Sequence, residues 1–231
     1  MQEDIKLDNL INMSHEIGNE IAYVQGGGGN TSVKLDTMKM AIKASGIALK
    51  DMSAEQGFSV VDYQKVNKYH CSPDSSEDRY SESITNFAID SSAKPSIETG
   101  FHALLGEYVI HSHSVFLNVL LCAKEGKDLI LEHFPESIWV DYFTPGKDLT
   151  LAIKNSLNGR EDSFEGLIFL ENHGIIVSAT TYTLPMALNC ENAIPMDSFI
   201  FGMICLREFF VSDIPTVLEI NLTNSLILGL T

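Results

Sequence analysis

Four consecutive glycines, Gly26-Gly27-Gly28-Gly29, run into Asn30 and set the first firm boundary in this chain. Glycine costs about 1 kcal/mol per residue inside a helix, so a run of four ends one. Before it, Leu10, Met13, Ile17, Ile21 and Val24 recur at helical spacing, which predicts an amphipathic first helix running up to the glycines. After it, residues 31–35 and 39–44 predict short strands, followed by a Ser45-Gly46 turn and a further strand at 58–61. The glycines also leave the backbone bare. Amide N–H groups can approach an anion there, and the Asn30 side chain can donate as well. Taken alone, the run fits a plain flexible loop equally.

The remaining pattern mixes strands and helices. Residues 69–92 are rich in Ser, Asp and Glu and read as a long surface loop. Pro95 is suited to open a helix running to Leu105. Strands are predicted at 107–113, 139–140, 167–170 and 174–179, and helices at 115–123, 149–157, 183–193 and 199–210. There is no strict β-α-β alternation and no internal repeat. An α/β chain of this kind is expected to form a layered sandwich with antiparallel strands rather than a barrel. At 231 residues, one domain over 1–231 is the default.

Charge and cysteine usage narrow the function classes. The net charge of −16 repels phosphate backbones, so nucleic acid is not expected as a partner. An anionic substrate then needs a local positive site: a metal, a few lysines or backbone amides. Cys71, Cys122, Cys190 and Cys205 form no C-x-x-C pair, and their sparsity fits a reducing compartment, where cysteine behaves as a small apolar residue. The acidic start, Met1-Gln2-Glu3-Asp4, lacks the pattern of a secretory signal, and the apolar stretch 194–211 is interrupted by Asp197, Arg207 and Glu208. No membrane span and a cytoplasmic location are expected.

His111-Ser112-His113 is the sharpest chemical feature. On a strand, residues i and i+2 share a face, and paired imidazoles suit a divalent transition metal. An isolated pair fits two unrelated strand histidines as well, so a third ligand is needed. His173, in Glu171-Asn172-His173-Gly174 at the end of an apolar strand, is the candidate, though a turn histidine reads the same way. Glu98 lies on the helix that leads into the His111 strand. A carboxylate near a metal can ligate it or move a proton, whereas one at a helix start can simply oppose the helix dipole. The spacing does not suit a cupin, which would place a carboxylate where Phe116, Leu117 and Asn118 stand.

In order, G-G-G-G-N-T-S-V-K at 26–34, K-A-S-G at 43–46, K-P-S-I-E at 94–98, H-S-H at 111–113 and E-N-H-G-I-I-V at 171–177 resemble the class II aldolase/adducin family. The likeness covers about residues 10–180 and is closest to modules of the rhamnulose-1-phosphate and fuculose-1-phosphate aldolase type. It implies a three-layer α/β/α sandwich around a mostly antiparallel sheet; the helical reading of 181–231 rests on the apolar pattern alone. It implies His111, His113 and His173 as ligands of Zn²⁺ or another divalent metal, and Glu98 as the acid/base carboxylate. It implies Gly28, Gly29, Asn30, Ser45, Gly46 and Ser96 as phosphate-binding positions. A homotetramer with sites between neighbouring subunits is implied as well.

The chain departs from the family pattern in three places. Ile97 stands where many members carry a second Ser. The segment 69–92 contains a second Ser-Ser-Glu, at 75–77. No Tyr after His113 matches the further acid of the aldolases, and only Glu132, His133 and Glu136 occupy that region. The activity implied is cleavage of a phosphorylated, sugar-derived ketose through a metal-stabilised enediolate, in a lyase of carbohydrate metabolism. Epimerase, decarboxylase and dehydratase chemistry on the same scaffold are the alternatives. An adducin-like scaffold without chemistry is the remaining one, and such members lack the metal histidines that this chain keeps.

Overall fold

Alternating side chains organise the chain into one seven-stranded sheet, in the order β3-β2-β1-β4-β7-β6-β5. The computed structural model describes residues 2–70, 79–89 and 93–182. They belong to a compact unit, Met1–Tyr182; the second unit, Thr183–Thr231, lies outside the described residues, as do the helices expected within it. The strands are β1 (Asn30–Lys34), β2 (Lys39–Lys43), β3 (Phe58–Asp62), β4 (Tyr108–Ser112), β5 (Ile138–Val140), β6 (Gly166–Leu170) and β7 (Gly174–Ala179). Every pairing is antiparallel except β5 with β6, which α7 (Lys147–Leu157) connects. A parallel pair needs such a crossover, whereas the consecutive antiparallel pairs β1–β2, β2–β3 and β6–β7 return directly.

Helices cover both faces, which makes the three layers expected from the sequence. On one face, Phe101 and Leu105 of the segment around α4 (Thr99–Leu104) pack with Leu149, Ile153 and Leu157 of α7 onto Val109, Ile168 and Ile176. The same layer continues through α2 (Tyr63–His70) and α3 (Tyr80–Asn86), whose Val66, Tyr80 and Ile84 cover Met40, Ile42 and Val61. On the other face, α1 (Gln2–Gly18) buries Leu10, Met13 and Ile17, and its Ser14 hydroxyl lies 2.7 Å from that of Thr31. There too α5 (Val115–Leu121) precedes α6 (Gly126–His133), after which Phe134 meets the Phe169 ring at 5.6 Å.

Several expectations are corrected. The first helix stops at Gly18, short of Ile21, which is exposed, because Gly18-Asn19 is a stop signal that the apolar spacing outran. The helix after Pro95 begins only at Thr99. Pro95 is instead extended and bridges Ala44, while Ser45 N–H donates to the Lys94 carbonyl at 2.8 Å. The segment 69–92 is not all loop: Tyr80 and Ile84 sit four apart on one helical face and are buried, so tertiary packing makes α3 from a polar stretch. The second Ser-Ser-Glu at 75–77 lies outside the described residues. Cys122 is exposed after α5 rather than packed as a small apolar residue; Cys71, Cys190 and Cys205 lie outside the described residues. No helix among the described residues is long and apolar enough to cross a membrane.

Candidate metal centre

Strand β4 delivers His111 to the face that α4 covers. His111 pairs in register with Asn30 of β1 on one side and with Ile176 of β7 on the other. His113 follows just past the end of β4. His173 sits in the tight turn from β6 to β7, where its N–H donates to the Leu170 carbonyl at 3.1 Å and Asn172 takes a positive φ of 53°. Two separate segments thereby bring three imidazoles together, with ring nitrogens all within 4.8 Å of one another. Gly174 makes this packing possible. A Cβ there would stand 2.4 Å from the Ser112 carbonyl oxygen and 3.2 Å from His111 Cε1.

The donor set fits a divalent metal. His111 Nδ1 lies 3.0 Å from the Ile175 carbonyl oxygen, which can only accept, so Nδ1 carries the proton and Nε2 presents a lone pair. That Nε2 faces His113 Nε2 at 2.8 Å. His173 Nδ1 is buried without a hydrogen-bond partner among the described residues. Burial pushes the His111 ring down to about 3, against the pull of Glu98, and lowers His113 as well. Neutral imidazoles facing one another are the form that binds Zn²⁺ and its neighbours.

Glu98, at the N-terminal boundary of α4, closes the cluster. Its Oε1 lies 3.3 Å from His173 Nε2 and 3.6 Å from His111 Nε2. Burial works to raise its pKa, while the adjoining His111 and His173 rings work to lower it. Asn30 Nδ2 donates to Glu98 Oε2. The Asn30 amide, expected at a phosphate, gives one of its two N–H groups to the carboxylate. Ser96 is buried and starts the helix: its hydroxyl accepts from the Glu98 N–H at 3.2 Å, and its carbonyl from the Thr99 hydroxyl at 2.6 Å.

The glycine loop borders this cluster. A Cβ on Gly28 would lie 3.0 Å from His113 Nδ1, and one on Gly27 3.9 Å from the Gly46 backbone. Gly28, Gly29, Ser45, Gly46 and Ser96 are therefore carried by adjoining segments, with Ser45 and Gly46 exposed. Gly29 has a φ of +67° and passes His111 so closely that a Cβ would meet its carbonyl oxygen at 2.9 Å. Beneath the loop lies Lys43, a residue the sequence reading did not single out. Its Nζ donates to the carbonyls of Gly27 at 2.7 Å and Gly29 at 3.0 Å, and burial lowers it to about 8 against the pull of Glu98. Its place just before the Ser45-Gly46 turn was the available signal. Glu132, His133 and Glu136 are exposed in and after α6, which lies on the sheet face opposite Glu98, and the structure does not bring them to the cluster.

Residues 8–188 match the family described as the class II aldolase and adducin N-terminal domain. The chain is 29% identical over 188 residues to the uncharacterized oxidoreductase YuxG of Bacillus subtilis (strain 168). That match takes in 76% of this chain and spans 27% of the relative's length. Among solved structures, the N-terminal class II aldolase domain of a conserved Thermoplasma acidophilum protein is similar, with a TM-score of 0.65, 25% identity and coverage of 76% of this chain and 84% of that one. The L-fuculose-1-phosphate aldolase of Thermus thermophilus shares the fold, with a TM-score of 0.53, 15% identity and 98% of both chains covered.

Proposed function

The chain belongs to the class II aldolase and adducin family, and from its site we propose that it is a metal-dependent, aldolase-type lyase acting on a phosphorylated, sugar-derived ketose. The observation that supports this most is the cluster of three imidazoles with a buried carboxylate against two of them. His111, His113 and His173 hold Zn²⁺ or another divalent ion in this reading. Bound there, the cation supplies Lewis acidity toward adjacent carbonyl and hydroxyl oxygens. In cleavage the hydroxyl of the departing aldehyde gives up its proton as the C–C bond breaks and its electron pair passes to the carbon beside that carbonyl; Glu98 delivers a proton to this carbon, and takes it in the reverse, condensing direction. Gly28, Gly29, Asn30, Ser45, Gly46 and Ser96 hold the phosphate, chiefly through loop amides, and so fix the reacting end. Lys43 turns the carbonyls of Gly27 and Gly29 inward, which supports the loop and leaves positive charge behind it.

A second reading is decarboxylation or epimerisation of a sugar-acid or pentulose phosphate. It is favoured by the placement of Glu132, His133 and Glu136 on the opposite layer, which leaves Glu98 as the carboxylate paired with the histidines among the described residues. A cytoplasmic homotetramer is part of the proposal. Exposed Ile97, Tyr142 and Phe143 are apolar surface that assembly would cover. The test is a product screen: the zinc-loaded full chain is incubated with ketose 1-phosphates and with sugar-acid phosphates, and products are read by mass spectrometry. Cleavage to a triose phosphate and an aldehyde is expected. Carbon dioxide release or simple epimer formation would favour the second reading, and no turnover of any of them by zinc-loaded protein would sink both.

A further inference from the structure

Strand β1 and the segment around α4 are joined by three polar rungs. Asn30 donates to Glu98. The Ser32 hydroxyl lies 2.7 Å from His102 Nδ1. Lys34 Nζ donates to the Leu105 carbonyl at 2.6 Å and stands 4.7 Å from the Tyr63 ring centroid. On the strand the rungs fall at every second residue, 30, 32 and 34. On the helical side they fall at 98, 102 and 105, spacings of four and three. On the strand this periodicity places the three side chains on one face; the three groups opposite come from the start, middle and end of the α4 segment. The side chains that form the rungs are all buried, with Ser32 1% and His102 0% exposed.

An apolar seam would do the packing as well. Replacing both partners of a buried hydrogen bond by apolar groups of the same shape is close to neutral, while breaking one side costs about 1–3 kcal/mol. Hydrogen bonds differ from apolar contacts in tolerating little displacement. The segment needs such fixing: α4 is only six residues long, and the side chain of its N-cap residue, Glu98, makes no capping hydrogen bond. Burial pushes the His102 ring down to about 3, so the middle rung adds no positive charge beside Glu98 at neutral pH.

We propose that Ser32 and His102, with Lys34, are positioning residues: their rungs set the rotation and register of α4 over β1 and thereby hold Glu98 against the three histidines. This rests on the reading of Glu98 as the acid/base carboxylate. The zinc ligands stand on β4 and on the β6–β7 turn, outside the ladder, so metal binding and Glu98 placement are separable.

The test uses the zinc-loaded full chain and acetohydroxamate, a probe with two adjacent oxygens like those of an enediolate. Its affinity is measured by calorimetry for Ser32→Ala, His102→Leu, His102→Asn, Glu98→Gln and the Ser32→Ala/Glu98→Gln pair, with zinc content measured alongside. Ser32→Ala and His102→Leu are expected to keep zinc and weaken the probe about tenfold. His102→Asn, which retains a nitrogen at the Nδ1 position, is expected to recover most of that. The double variant is expected to bind no more weakly than Glu98→Gln alone, because Ser32 acts through Glu98. Additive effects, or unchanged affinity in both ladder variants while Glu98→Gln weakens the probe, would overturn the ladder alone. Unchanged affinity in Glu98→Gln would overturn the reading of Glu98 and the inference with it. Should His102→Leu fail to hold zinc, the Ser32 cycle decides.

Discussion

His70 and the cluster of His111, His113 and His173 stand on the same face of the sheet and are used in opposite ways. His70, at the end of α2, spends both nitrogens inside the protein: Nδ1 lies 2.8 Å from the Val66 carbonyl and Nε2 3.1 Å from the Tyr80 hydroxyl. Burial lowers its pKa as it lowers that of His111. Yet His111, His113 and His173 turn ring nitrogens toward one another, with one carboxylate alongside. Burial and pKa therefore do not separate a structural histidine from a ligand. The convergence of ring nitrogens from several imidazoles does.

The largest effect expected from breaking this contrast is on metal content. His111→Ala/His113→Ala should reduce zinc from about one per chain to none by elemental analysis, whereas His70→Phe should leave it unchanged. Next comes Glu98→Gln, which should keep zinc and lower turnover of the substrate found in the product screen by about 10²–10⁴. Loss of zinc from that variant would make Glu98 chiefly a ligand.

The site was legible where its logic is local. Two histidines at strand spacing need only period two, and the Gly-rich loop and His173 stand beside their own turns. What was hidden depends on pairings far apart in sequence. Ser32 and His102 are 70 residues apart and meet only after β1 and α4 dock. Lys34 and Lys43 look like surface cations until carbonyls of other segments receive them. In α3, Tyr80 and Ile84 are too few to give a helical stripe in a Ser- and Glu-rich stretch, and only the partners they cover reveal it. The order of strands was likewise unreadable, since β1 sits between β2 and the much later β4.

Smaller effects sharpen the contrast. Gly174→Ala forces a methyl group toward the Ser112 carbonyl and the His111 ring. It should cost about 1–3 kcal/mol by denaturant unfolding and weaken zinc binding at the same time. His70→Phe should cost about 1–3 kcal/mol through loss of the hydrogen bond to the Tyr80 hydroxyl, with zinc affinity preserved. The mildest effect is graded. The folded metal-free chain resists protonating His111 and His102 until about pH 3, whereas unfolded histidine binds a proton near 6.5. The unfolded state then binds more protons, so stability should fall as pH drops from about 6.5 toward 3. A midpoint of thermal unfolding that does not fall from pH 7 to pH 5 would contradict buried neutral rings.

The most direct test of the metal assignment is elemental mass spectrometry on the untagged full chain beside its His111→Ala/His113→Ala variant, both dialysed after zinc loading. About one zinc per wild-type chain and none in the variant is the expected result. A wild type that refuses zinc, or a variant that keeps it, would contradict the claim that these three histidines form a metal centre.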